Sequence, residues 1–253
     1  MATALGAPAF DAPTFAPPQE PSRKSLARRA GVLYLIGCLP APFVLVYVPG
    51  RLFVAGDPTA TADRIRASAG LLRLAMASEL VSCLTLIFAA FALYRLFRDV
   101  DRRLAVATAV LMWIAIPIQL LNLANDGAAL LLTSSATYQS AFTKEQVDAL
   151  AYLFYRVHAF GLQIAQVFWG LWLFPWGLAA MRSRFIPRWI GAAIIVAGIG
   201  YVMNSAVAIL IPRLAATVTP IGMAMGVGEL AMINWLLFWG ARDSHSQAVA
   251  AGR

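Results

Sequence analysis

LAVATAVLMWIAIPIQLLNLANDGAALLLT, residues 104–133, is a long apolar run whose only ionisable side chain is Asp126. At 1.5 Å of rise per residue such a helix extends about 45 Å, more than the ~30 Å hydrocarbon core of a bilayer. A membrane strand would instead be short and would alternate with a period of two. The stretch reads as a transmembrane helix. Further apolar runs lie near 30–49, 73–97, 151–181, 189–211 and 221–241. The predicted fold is therefore all-α: a polytopic membrane protein with six transmembrane helices in a bundle. The third and fourth spans exceed what a bilayer needs, so they should tilt or project, and Pro117 and Pro175 inside them should kink them.

Composition agrees. Of 253 residues, 60% are hydrophobic and 13% charged, against about 25% charged in a soluble domain. The mean hydropathy is +0.72. A net charge of +8 is compatible with nucleic-acid binding, but the basic residues bracket the apolar runs. They form no patch interleaved with stacking aromatics, so no nucleic-acid partner is expected. They act instead as topology determinants and contacts to anionic lipid. Arg23, Lys24, Arg28 and Arg29 precede the first span, and the short links RDVDRR (98–103) and RSRFIPR (182–188) fall on the same side. By the positive-inside rule that side is cytoplasmic, with both termini. The predicted localisation is a bacterial plasma membrane, crossed several times.

Residues 1–22 are rich in proline and alanine and lack periodicity, so they read as a disordered tail rather than a signal peptide. The transmembrane domain is placed at 23–241 and a short tail at 242–253. In the first outer loop, DPTATADRIRAS (57–68) has the signature of a capped, interfacial helix. Ile65, Leu71 and Leu72 would rest on the headgroups. In a second outer segment, Thr143 followed by Glu145 and Gln146 predicts a helix start leading into span four. Either segment is a lid or only an anchor.

RRAGVLYLIG (28–37), GDPTATADRIRASAGLLRLAMASEL (56–80), RRLA (102–105), FYRVHAFGLQIAQVFWGLWLFPWGL (154–178) and RSRFIPRWIGAAIIVAGIGYVMNS (182–205) together have a recognisable order. An outer loop opens with Gly56-Asp57, span two carries Glu79-Leu80, span four carries Val157-His158, and Phe185-Ile186-Pro187-Arg188 precedes span five. In this order and spacing, residues 27–211 resemble domain-of-unknown-function family 4386. The resemblance implies a multi-pass bacterial membrane protein with no assigned activity. An internal echo also links YVPGRL (47–52) to LIPRL (210–214), and Glu79-Leu80 to Glu229-Leu230. Parallel repeats of three hairpins would explain it.

Chemistry must come from the few polar residues inside the spans. Glu79, Asp126, Arg156, His158 and Glu229 each lie roughly 5–9 residues inside a predicted helix end, ~8–13 Å below one face. Gln119, Asn122, Asn125 and Asp126 recur at three- and four-residue steps and share one stripe. That stripe is either interhelical glue or a pocket wall. Arg156 and Asp126 are expected to pair, and His158 is a proton acceptor, a ligand anchor or a packing residue. Asn204 in span five sits at comparable depth. The candidate ligand-binding residues are thus Glu79, Asn122, Asp126, Arg156, His158, Asn204 and Glu229. Acids outnumber bases among them, which suits a cation.

Cys38 and Cys83 lie in apolar spans with no redox or metal spacing, and only His158 and His245 are histidines. No metal site and no cofactor are expected. No Walker, H-E-x-x-H, G-x-S-x-G or dinucleotide fingerprint occurs. The leading expectation is a polar outer-leaflet pocket for a small amphiphilic or cationic molecule, or a lipid headgroup, in transport or sensing. The alternatives are a structural or partner-binding subunit, and an intramembrane enzyme with Glu79 or His158 as base and Ser78 or Ser82 as guessed nucleophile. Gly222 and Gly226 form a G-x-x-x-G step that suits either a homo-oligomer or a contact within one chain.

Overall fold

The computed structural model describes residues 22–240. The predicted tails, with Arg242, His245 and Arg253, lie outside the described residues. All regular structure in the described part is helical, and six helical stretches are long and apolar enough to cross a membrane.

The first span, Arg23–Leu52, consists of α1 (Arg23–Cys38), a π-helical turn (Phe43–Tyr47) and α2 (Val48–Leu52). Ser22 begins it, its hydroxyl accepting from the Ser25 N–H at 3.3 Å. The loop helix α3 (Pro58–Ala67) follows as predicted. Asp57 caps it by accepting from the Ala60 N–H at 2.8 Å, and Pro58 occupies the first turn, where a missing N–H costs nothing. The next spans are α4 (Ala69–Phe97) and α5 (Arg102–Ser134), then the short α6 (Ala136–Ala141) and the long α7 (Lys144–Arg182). Thr143 and Gln146 form a reciprocal capping box at the start of α7. Neither Pro117 nor Pro175 ends its helix. The fifth span is α8 (Arg188–Leu210). The sixth runs from a 3₁₀ turn (Pro212–Leu214) through α9 (Ala215–Met225) and α10 (Val227–Asn234) to a π-helical turn (Trp235–Trp239). It therefore starts well before the predicted residue 221.

Small residues set the closest contacts. A Cβ at Gly170 of α7 would stand 2.6 Å from the Gly198 carbonyl oxygen of α8, and one at Gly177 2.6 Å from that of Gly191. A Cβ at Gly200 would stand 2.8 Å from the Gly222 carbonyl, across the next interface. Where lipid is as apolar as leucine, close backbone approach supplies the helix association that hydrophobicity cannot. Gly222 is buried, with the Asn204 side chain against it. The structure thus occupies half of the G-x-x-x-G step within one chain, leaving Gly222 closed to a second copy.

Two larger apolar cores result, with a third, small cluster of Ala62, Leu132, Val147 and Ala151. The larger, toward the end bearing the 98–103 and 182–188 links, gathers Tyr34, Leu93, Met112, Leu173, Trp176 and Ile194 among others. The smaller, toward the opposite end, gathers Leu52, Ile65, Leu72, Ala129, Leu130 and Tyr155. Ile65 and Leu72, expected on the headgroups, are instead buried in this second core. Helix α3 is held down by charge as well. Arg66 pairs with the buried Asp148, and Lys144 bridges Asp148 at 2.6 Å and Asp63 at 3.3 Å. At the arginine-rich end, Asp101 accepts from the Leu104 and Arg103 N–H groups and pairs with Arg182. The Leu104 N–H, helped by Arg182 and the Arg103 N–H, holds this carboxyl below the usual carboxylate range against the opposing effect of burial.

Candidate functional site

Between the two cores, α4, α5 and α7 contribute Glu79, Asn122, Asp126 and His158, all buried. Each lies on the inward stripe of its helix, because the apolar neighbours at three- and four-residue steps also face the bundle. The imidazole of His158 lies between two carboxyls. Its Nε2 stands 3.5 Å from Glu79 Oε1, and its Nδ1 stands 3.4 Å from Asp126 Oδ2. Charge-assisted bonds of this kind normally measure about 2.7–2.9 Å, so both contacts are slack.

Asn122 sets the orientation. Its Nδ2 donates to the His158 carbonyl at 2.9 Å and also stands 3.5 Å from Nδ1. Nδ1 therefore meets a donor amide on one side and a carboxyl on the other. A bare Nδ1 can accept from Asn122, whereas a protonated Nδ1 donates to Asp126. Gly161 makes this possible, since any Cβ there would collide with the Asn122 amide. Asn125 braces the amide in turn, donating to the Asn122 carbonyl at 3.0 Å and to its Oδ1 at 3.1 Å.

One oxygen of each acid, Glu79 Oε2 and Asp126 Oδ1, is buried with no hydrogen-bond partner. An unsatisfied buried acceptor costs about 1–3 kcal/mol, and more if it is charged. Two carboxyls face one imidazole. Even an imidazolium leaves one negative charge over, so the group is chemically suited to a further proton or cation.

Arg156 is not part of this cluster, and the expected Arg156–Asp126 pair does not form. Arg156 is exposed, and its guanidinium lies over the Phe53 ring at 5.7 Å. Two residues of helix turn the side chain by about 200°, so when His158 points inward Arg156 points out. Glu229 is also separate. The Tyr201 hydroxyl donates to its Oε1 at 2.6 Å and the Tyr34 hydroxyl donates to its Oε2. Measured along their helices from the arginine-rich end, Glu229 lies ~15 Å from Trp239 and Glu79 ~27 Å from Phe97. The single polar layer expected from the sequence is thus two groups at two levels. Asn204 belongs to neither; it is buried against Gly222 with its Oδ1 unpartnered.

Tyr34, Tyr201 and Gly161 were not among the residues singled out from the sequence. A phenol in an apolar span is a visible signal, but its partner is not. Ser78 and Ser82, the guessed nucleophiles, donate to the backbone carbonyls of Leu74 and Gly37. Among the described residues, no group of three or more His, Cys, Asp or Glu is disposed to hold a metal ion. An apolar groove of about 280 Å³ lined by Ile87, Phe91, Trp113, Ile116 and Pro117 lies apart from these residues.

An uncharacterized protein of Archaeoglobus fulgidus is 30% identical over 83 residues, covering 33% of this chain and 48% of that protein. The chain thus spans about half the length of this curated relative. No solved structure matches the chain. A family described as a domain of unknown function, DUF4386, matches residues 29–240. That match runs beyond the stretch 27–211 and includes Glu229 and all of α9 and α10. This chain, a helical protein with six membrane-competent spans, belongs to the DUF4386 family.

Proposed function

We propose that the protein binds a small cationic amphiphile, such as an ammonium-bearing lipid or metabolite, at Glu79, Asp126 and His158, as a step in transport or sensing. The observation that carries this reading is the pair of unpartnered carboxyl oxygens beside a single imidazole. A buried excess of negative charge is stabilised by a cation, and intramembrane acids facing a bundle interior commonly mark such sites. The slack contacts to His158 add support, because they leave the carboxyls free to turn toward a ligand. Asn122, seated on Gly161, keeps the imidazole in register while its partners change. With the arginine-rich links toward the cytoplasm, the site would lie in the outer half of the membrane.

The test uses tetraphenylphosphonium, a lipophilic cation, titrated against the full chain in nanodiscs of zwitterionic lipid. Glu79→Gln and Asp126→Asn should each weaken binding tenfold or more, since a desolvated charge pair contributes about 2 kcal/mol or above. Arg156→Ala and Glu229→Gln should leave affinity within about twofold, because neither side chain touches the cluster. Equal affinity in all five proteins, or no binding by any, would refute the proposal.

A ligand-free structural role is the second reading. The close seating of Asn122 against Gly161 and the His158 carbonyl favours it. Under that reading Asp126→Asn lowers thermal stability while no cation competes. An enzyme using His158 as base needs a nucleophile within hydrogen-bond reach. The hydroxyls of Ser78 and Ser82 are directed to backbone carbonyls instead.

A further inference from the structure

The described acids at the ends of the bundle and Glu229 have different chemical settings. Asp101 and Asp148, at the helix ends, are paired with guanidinium or ammonium groups, as structural carboxylates usually are. Glu229 is different. It is buried between the first, fifth and sixth spans, and its two oxygens each receive a phenol, from Tyr34 of α1 and Tyr201 of α8. Among the described residues, the other titratable group beside it is the Cys38 thiol of α1, which adjoins Tyr34. No cationic side chain among the described residues contributes to its surroundings. The phenols are themselves fixed by tryptophans of α7. Tyr34 meets Trp176 edge-on at 4.9 Å, and Tyr201 meets Trp169 edge-on at 6.2 Å.

We propose that Glu229 is a proton-exchange site, held ready in both protonation states by Tyr34 and Tyr201. A phenol both donates and accepts, unlike an arginine or a lysine. With the carboxylate bare, each hydroxyl donates to one oxygen, as observed. With a proton bound, the carboxyl O–H donates to one phenol oxygen, and that phenol turns its own hydrogen away. For Tyr34 the Cys38 sulfur stands ready as the alternative, weak acceptor. Only hydrogens move, so exchange needs no repacking of the heavy atoms. The proton leaves to water as hydronium and returns from it, with no other bond made or broken.

The consequence is a link between proton occupancy and helix association. In the anionic state two charge-assisted bonds tie α1 and α8 to α10. In the neutral state one of them reverses and weakens. This inference stands independently of cation binding at Glu79, Asp126 and His158, with which Glu229 shares no contact.

Infrared difference spectroscopy of the full chain in nanodiscs, stepped in pH, tests it. The carbonyl stretch of a protonated carboxyl should exchange for a carboxylate band, and that component should be missing from Glu229→Gln. In Tyr34→Phe and Tyr201→Phe the component should persist but its midpoint should move in pH, because the carboxylate has lost a donor that the acid form does not need. A merely structural carboxyl would not show this shift. Coincident spectra for wild type and Glu229→Gln overturn the proposal. If Glu229→Gln does not fold, unmoved midpoints in both tyrosine variants overturn it instead.

Discussion

Replacing Gly170 by alanine tests the account of how the fourth and fifth spans associate. The added methyl would stand 2.6 Å from the Gly198 carbonyl oxygen, 2.7 Å from Val202 Cγ2 and 3.1 Å from the Val202 backbone nitrogen. Two of these neighbours are backbone atoms in the middle of α8, so no rotamer change relieves the contact. The helices must move apart by about 0.5–1 Å to restore ordinary van der Waals distances. Overpacking of this kind costs ~1–3 kcal/mol. The better helix propensity of alanine returns about 1 kcal/mol, so the net loss is ~0–2 kcal/mol. For a chain of this size that lowers the melting temperature by up to roughly 8 °C. Melting followed by circular dichroism in a mild detergent reads it. Gly70→Ala is the control of opposite sign. It lies in the first turn of α4 with nothing within 4 Å of its would-be Cβ, and should leave the protein unchanged or slightly more stable. Gly198→Ala fills the same gap from the other side, so the double variant should lose less than the two single losses added. Equal melting of Gly170→Ala and Gly70→Ala would refute the close-approach argument.

Two further outcomes concern the charged ends of the bundle. Asp148→Asn should lower stability by about 1–2 kcal/mol, since it removes the partner shared by Arg66 and Lys144 and weakens the pinning of α3 to α7, leaving the Lys144–Asp63 pair. The loss is modest because Lys144 is half exposed and can return to water. Accelerated proteolysis within residues 54–68 would report the unpinning, and wild-type resistance there would count against it. Asp101 gives a pH dependence of definite sign. Its carboxyl is held below the ordinary range by the Leu104 N–H and by Arg182. Its contribution is therefore complete above the unfolded-state carboxylate value and is lost as pH falls through the lower, folded one. Melting curves of wild type and Asp101→Asn should differ at neutral pH and converge in acid; a gap constant with pH would contradict this.

The number of spans, their approximate limits and the caps at Asp57 and Thr143 were readable from residue order, because hydropathy and capping are local properties. So was the inward stripe of Gln119, Asn122 and Asp126, which depends only on helical periodicity. Partner choice was not readable. Arg156 and His158 are two residues apart and both basic, yet the rotation of α7 turns one toward Asp126 and the other over Phe53. That rotation goes with the close seating of Gly170 and Gly177 on α8 and of Gly161 on Asn122 of α5, contacts between separate helices. Depth was misjudged for a similar reason. Counting inward from the end of an apolar run assumes that the helix begins there, but the sixth span begins at Pro212 and carries Glu229 to a different level from Glu79. Its phenol partners then come from the first and fifth spans, 195 and 28 residues away in sequence. Residue order decided which groups enter the membrane, since transfer of a side chain into lipid is a property of that side chain and its neighbours. Helix rotation and offset decided which of them meet, since both arise from close packing between segments that no local pattern relates.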